Sequence, residues 1–500
     1  MANGTYEKFK EKLVEINHLS HSLGLMEWDS NVSMPTKGSK RRGEAIGTLS
    51  GLIHEKFLSK DLEVLLLKLK KDLDQKKLDS KQSVVVREVF RVYSKEKKLP
   101  SDFVKEMAET VSHAYPIWDK AKKESNFKLF APQLKKIFEL KRKYAQYVGY
   151  KGTPYDVLLD DYEPGLTSEE ASLIFSDLKD FLIPFIKKIG KKKGINRQIK
   201  GKFDLAKQRE FNTFVAKKIG YDFEAGRLDE SSHPFTINFH PHDVRITTKY
   251  KEDDFYFSLG STVHEIGHAL YEQGLNPEHF GTPLAESISL GVHESQSRTW
   301  ENLVGKSMPF WKYFYPFLQK TFPEPFKKMK LDEFYPYINQ VEPSLIRYES
   351  DEVTYNLHII IRFEIEKELV EGSIDVGDLP KIWNSKYKDY LGITIPDDAH
   401  GVLQDVHWAN GLVGYFPTYT LGNLYSAQFY QQAKKEIMNL EKFFEKGKFQ
   451  PFLEWLRKNI HQHGKQYSAA QLCERITGEG LNSKYYIDYL TTKFNKLYSL

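Results

Sequence analysis

The stretch Ser261 to Gly274, STVHEIGHALYEQG, and the residues just before it place two demands on the chain at once. Phe255, Leu259, Val263, Ile266, Ala269 and Leu270 recur at helical spacing and form an apolar stripe that calls for burial. The same helix carries His264, Glu265 and His268 in the order His-Glu-x-x-His, and imidazoles on a buried helix are costly unless something binds them. Residues four apart on an α-helix lie about 40° apart around the axis and one turn along it, so the two imidazoles face one point. A divalent metal ion needs that spacing. Glu265 sits on the flank of the same face, where it can reach a metal-bound water without replacing it as a ligand.

The rest of the chain predicts a mainly α protein, one large helical body over 1–500. A chain of 500 residues with 40% apolar and 14% aromatic content can bury a large core, and it shows no low-complexity linker and no internal repeat. Amphipathic helices are predicted over Tyr6 to Leu23, Ser39 to Phe57, Asp61 to Leu73, Lys81 to Lys97, Ser101 to Lys122 and Pro132 to Val148. They carry no evident chemistry and read as a helical wall over about 1–200. Metal and substrate motifs follow over about 228–422, and further amphipathic helices over about 424–500.

Composition excludes several classes of function. With 73 basic and 68 acidic residues the net charge of +5 does not argue for nucleic acid. The basic stretch Lys187, Lys188, Lys191, Lys192, Lys193, Arg197, Lys200 and Lys202 lacks interleaved aromatics and reads as a solvated loop. Cys473 is the single cysteine, so neither an internal disulfide nor a zinc–thiolate cluster is available. The N-terminus turns charged and amphipathic at once, without the apolar segment of a signal peptide. Val406 to Ala433 is uncharged apart from its histidine but too broken by Gly, Pro and Asn to span a membrane. The expectation is a cytoplasmic protein without membrane or nucleic-acid partners.

Around the His-Glu-x-x-His helix, Leu228 to Tyr250 breaks the helical period. Phe235, Ile237 and Phe239 alternate, as do Val244, Ile246 and Thr248, which predicts a short hairpin whose free edge could take an extended peptide. Downstream, His293, Glu294, Ser295, Gln296 and Arg298 cluster, and Glu294 is placed to supply a third, carboxylate ligand. Spacing alone leaves Glu286 and His293 in competition with it. Two histidines and a carboxylate would leave a fourth position open for water, as in catalytic rather than structural zinc sites. A helix over Ile346 to Glu368 would carry Arg347, Asp351, Tyr355, His358 and Arg362, with Glu366 and Lys367 as surface ion-pairing charges. Gly401 to Trp408 and Gly411 to Gly422, rich in glycine and aromatics with Asp405 the one formal charge, suggest a packed wall near a cleft.

Six motifs in order carry a family resemblance: HPF at His233 to Phe235, DVRIT at Asp243 to Thr247, HEIGH at His264 to His268, HESQ at His293 to Gln296, IRYESD at Ile346 to Asp351, and GVLQDVHW at Gly401 to Trp408. Together they resemble the thermostable carboxypeptidase Taq family of metallocarboxypeptidases, peptidase family M32. Ser350 stands where that family usually has alanine. The resemblance implies a mostly helical body with a deep substrate groove, beside whose HEIGH helix the small hairpin or sheet read from the alternation would lie, and a homodimer. It implies His264, His268 and Glu294 as ligands of one Zn²⁺ per chain, with Co²⁺ or another divalent metal as a substitute, and Glu265 as the catalytic residue. The implied reaction removes single residues, with broad specificity, from the free C-terminus of peptides.

An exopeptidase of this kind must recognise the terminal carboxylate, and the planar fork of an arginine suits it. Arg245 and Arg347 are the candidates, each with an acidic neighbour, Asp243 or Asp351, that could instead claim it. His407 and Tyr419 are the candidate donors to the oxyanion, and His233 joins them on the substrate side. Two rivals remain at this point, a His-Glu-x-x-His zinc endopeptidase or oligopeptidase, and a helical peptide-binding scaffold with a vestigial site.

Overall fold

Helix after helix begins where the sequence supplies an acceptor for its first unpaired N–H groups. Ser59 caps Lys60–Asp74, Asp79 caps Ser80–Glu96 in a capping box with Gln82, Thr167 does the same with Glu170 for Ser168–Gly190, and Asp254 caps Phe255–Glu272. The computed structural model describes residues 2–192, 199 and 201–500. Lys193, Arg197 and Lys200 of the basic stretch lie outside the described residues.

The N-terminal helices form as expected, with two shifts. The first runs Ala2–Val32, past Leu23, and the sixth starts at Phe127, ahead of Pro132. Phe127 and Phe130 are buried, and the Asp398 carboxylate accepts the Phe127 N–H at 2.9 Å, which anchors the extra turn. The buried residues of these helices fall into separate clusters. Tyr6, Phe9 and Leu13 pack with Leu62, Leu66, Val85, Tyr93 and the later Leu284 in a separate small core, whereas from Ala114 onward most of the buried apolar residues join the main core. Among the described residues no helix is long and apolar enough to cross a membrane.

The expected hairpin is present as β2 (Thr236–His240) and β3 (Asp243–Thr248), antiparallel, and a strand that periodicity did not predict, β1 (Gly226–Glu230), pairs parallel to β3. Register decides which residues see the HEIGH helix. Thr236 pairs with Ile246 and Asn238 with Val244, and this face packs on Phe255–Glu272. Ile237, Phe239 and Arg245 point the other way, where Gly24 of the first helix comes close to the Phe239 and Ile237 side chains. On the HEIGH helix none of the six stripe residues is more than 3% exposed.

Two expectations are corrected. Ile346 to Glu368 is not one helix: Arg347–Glu349 form a tight turn, and the helix begins only at Tyr355 and runs to Glu371. Asp351 breaks it by accepting the N–H groups of Val353 and Thr354 with its own side chain, a local alternative to helix continuation. Glu366, expected at the surface, is fully buried. It accepts Tyr155 Oη at 2.8 Å, Trp408 Nε1 at 2.7 Å and the Gly414 N–H at 3.0 Å, so one carboxylate ties three distant segments.

Burial raises the Glu366 carboxyl from its ordinary 4.5 to about 7, and Glu163, which accepts the Gly291 N–H at 3.0 Å, is raised alike. Both hold protons in the folded state that the unfolded chain has released, so their contribution to stability falls as pH rises from 4.5 to about 7. Urea unfolding across that window should show this slope shrinking in Glu366→Gln. Glu366→Ala, which strands three donors, should cost roughly 3 kcal/mol or more at any pH.

Candidate metal centre and substrate cluster

Three helices meet at the histidines because two glycines let them. A β-carbon on Gly267, the second x of His-Glu-x-x-His, would lie 2.5 Å from Ser297 Cα and 2.6 Å from Gln296 O. The HEIGH helix therefore packs directly on the backbone of Leu290–Arg298, which carries Glu294. From the other side Pro417–Glu436 closes in at Gly422, whose β-carbon would stand 2.5 Å from Glu294 Cγ. That helix runs straight through position 424, where a C-terminal segment was expected to begin.

This packing brings Glu294 Oε2 to 3.4 Å from His268 Nε2 and 3.7 Å from His264 Nε2. One ligand atom from each residue lies within 4.8 Å of the others, a set that could hold a metal ion. The competitors are elsewhere: Glu286 pairs with Lys465 at 2.5 Å, and His293 turns its Nε2 to Glu272 at 2.8 Å.

The donor chemistry fits a cation. His268 Nδ1 meets the His293 carbonyl at 3.1 Å, which can only accept, so Nδ1 carries the hydrogen and Nε2 presents a lone pair. His264 Nδ1 meets the Glu301 carboxylate at 2.8 Å, so its Nδ1 carries a hydrogen too and Nε2 is the atom at which a cation would replace a proton. Burial opposes charge on His264, yet Glu294 and Glu301 outweigh it and hold the imidazole up to about 9, while burial and the neighbouring His293 drive His268 down to about 3. Burial also opposes charge on Glu294, but Arg298 and then His264 hold it well below the usual carboxylate range. The point that attracts a proton to His264 would attract a dication more strongly. Side chains of His264 and His268 remain 20% and 13% exposed, so the centre is open to small molecules.

Glu265 is buried, and Thr236 of β2 donates to its Oε2 at 2.6 Å. Burial raises this carboxyl above its ordinary value, so its ionised form is a stronger base than an exposed carboxylate. Beside Glu272 and Asn238, at the far end of β2, lies a polar cavity of about 400 Å³.

On the substrate side the structure separates the candidates. Arg347, His407 and Tyr419 come together: Tyr419 Oη is 3.2 Å from His407 Nε2, and the Arg347 guanidinium stands 4.9 Å from the Tyr419 ring centre. Arg347 pairs with Asp405 at 2.9 Å rather than with Asp351, and donates to Tyr355 Oη at 3.0 Å. Arg245 is not part of this group. It forks onto Asp243 at 2.8 and 3.0 Å, lies over Trp28, and occupies the sheet face turned away from the HEIGH helix. His233 is exposed ahead of β2, its carbonyl accepting Ser231 Oγ at 2.5 Å. Thr236, Glu301 and Tyr355 were not singled out for this site. Helical phase could have found Glu301, one turn beyond Arg298 on the Glu294 side; nothing local points to Thr236, whose role depends on strand register.

Such a build is that of a metallopeptidase, and comparison with known proteins agrees. Residues 8–494 match the family described as Carboxypeptidase Taq (M32) metallopeptidase. The chain is 42% identical to carboxypeptidase 1 of Bacillus subtilis and 42% identical to thermostable carboxypeptidase 1 of Thermus thermophilus, in both cases over 99% of each chain. It superposes on a solved structure of the Pyrococcus furiosus carboxypeptidase with a TM-score of 0.95 at 38% identity, covering 98% of this chain and 99% of that one. The chain belongs to the M32 family of metallocarboxypeptidases. Its class is that of metal-dependent hydrolases acting on peptides, and the family implies a divalent metal.

Gly267→Ala should test the helix contact. The added methyl meets backbone rather than a flexible side chain, so a loss of about 1–3 kcal/mol is expected in thermal or urea unfolding, together with weakened metal retention on dialysis.

Proposed function

We propose that this protein removes single residues from the free C-terminus of peptides, with His264, His268 and Glu294 holding one Zn²⁺ per chain and Glu265 as general base. The observation that carries the reading is the juxtaposition of the three converging ligand atoms with a buried arginine cluster one tyrosine away, through Tyr355, Arg298 and Glu294. What a bound divalent cation supplies there is Lewis acidity, toward the attacking water and toward the scissile carbonyl. Thr236 holds Glu265 Oε2, leaving Oε1 to accept the proton of the attacking water and return it to the leaving amine. Arg347, already fixed by Asp405, receives the terminal carboxylate through its remaining N–H groups. Tyr419, backed by His407, donates to the oxyanion, and exposed His233 meets the peptide at the rim.

The same reading takes the chain as one functional domain, active with broad specificity as a cytoplasmic homodimer, with Co²⁺ able to replace Zn²⁺. The near balance of 73 basic and 68 acidic residues supports the absence of a nucleic-acid partner.

Glu265→Gln should keep its metal by elemental analysis while turnover falls about 10²- to 10⁴-fold; unchanged peptide cleavage would overturn the assignment. Arg347→Met should raise KM for free-acid peptides far more than it lowers kcat. Amidated peptides distinguish the exopeptidase from a zinc endopeptidase. They should resist the wild-type enzyme, and equal cleavage of acid and amide would favour the endopeptidase. Mass analysis should show a ladder of single-residue losses that stops on chelation and resumes when Zn²⁺ is restored.

A further inference from the structure

The helix that carries Glu294 does not simply end at Arg298. It continues into a widened turn, Thr299–Val304, in which the Gly305 N–H reaches back to Trp300 O at 2.7 Å, five residues earlier. Such turns are rare, and they are enriched at functional sites. Trp300, Leu303 and Val304 are buried and hold the turn in place. Glu301, the one charged residue of the turn, has its Oε2 at 2.8 Å from His264 Nδ1 and 3.0 Å from Arg298 Nη1.

Arg298 stands between two carboxylates. Its Nε donates to Glu294 Oε1 at 2.7 Å, its Nη1 to Glu301, and its guanidinium lies 4.4 Å from the centre of the Tyr355 ring. Tyr355 is in turn held at its hydroxyl by Arg347. With one oxygen of Glu294 taken by Arg298, the other, Oε2, is the atom that faces both imidazoles.

We propose that Glu301 and Arg298 are metal-positioning residues: Glu301 fixes the tautomer and orientation of His264, and Arg298 restricts Glu294 to a single coordinating oxygen. The inference rests on the metal reading above and assigns how the centre is tuned. The two histidines are then unequal. His264 leans on a carboxylate and is the more basic donor, while His268 leans on a neutral carbonyl. A carboxylate confined to one oxygen leaves the cation with three protein atoms and room for water and a substrate carbonyl. A carboxylate free to bind through both oxygens would fill that room.

Chelator-competition titration of Zn²⁺ onto the metal-free full-length protein tests the first part. Glu301→Ala should weaken binding about 10- to 100-fold, and Glu301→Gln, which keeps an acceptor for Nδ1–H but not the charge, by less. Retained melting transitions show that the variants are folded, and Glu301→Gln carries the test if Glu301→Ala does not fold. Binding by both variants as tight as wild type overturns the role of Glu301. The visible absorption of the Co²⁺-loaded protein tests the second part. Four-coordinate Co²⁺ absorbs more strongly than five- or six-coordinate, so Arg298→Met should lose intensity as Glu294 adds its second oxygen. An unchanged spectrum overturns the role of Arg298. His268→Ala, titrated in parallel, separates the two levels: if it loses Zn²⁺ while the Glu301 variants do not, this inference alone fails, and if it binds normally the metal reading itself fails.

Discussion

Everything near the histidines depends on the direct contact between the HEIGH helix and the backbone of Leu290–Arg298 at Gly267. Helices with ordinary side chains at the contact pack 8–10 Å apart as a rule. Where a glycine removes the spacer, side chains on the facing turns converge instead of lying side by side. His264 and His268 from one helix and Glu294 from the other then share one point, and Gly422 seals the third side. The motif supplies the groups, but the glycines supply the distances.

Charge is organised by the same economy. Around the candidate metal centre, Glu294, Arg298 and Glu301 alternate in sign along one helical stripe, and around the substrate cluster Asp405 sits between Arg347 and Arg362. Each of these six charges has a partner of opposite sign and a fixed hydrogen-bond geometry, which is what makes such burial tolerable. Tyr355 joins the two groups, with its hydroxyl on Arg347 and its ring against Arg298. The charged groups of both clusters are therefore held in place by the fold itself.

Much of this was legible in the sequence, for identifiable reasons. Caps and apolar periodicity marked most of the helices because those signals are local, and His-Glu-x-x-His has a meaning that helical geometry alone supplies. What escaped was non-local. Glu366 reads as a surface charge until Tyr155, Trp408 and Gly414 are known to surround it. Arg245 and Arg347 look equivalent in their motifs, and only strand register, which turns Arg245 to the sheet face away from the HEIGH helix, tells their surroundings apart. The break at Asp351 was visible as an aspartate but not as a turn, since whether its carboxylate caps the backbone or pairs with Arg347 depends on where Asp405 lies. The lone parallel strand β1 has a neighbour, β3, that follows β2 in the chain, so no hairpin signal announces it.

The reach of the first two hundred residues into the later motifs has a consequence for anyone who would shorten this enzyme. Tyr155 holds Glu366, Glu163 holds the start of the Glu294 helix at Gly291, and Trp118 donates to the Leu403 carbonyl at 3.1 Å. Residues that carry no chemistry of their own are therefore the acceptors and donors on which the chemistry-bearing loops are hung. A fragment cut to the motifs alone would keep the motif residues and lose the Tyr155, Glu163 and Trp118 contacts that hold the segments carrying them.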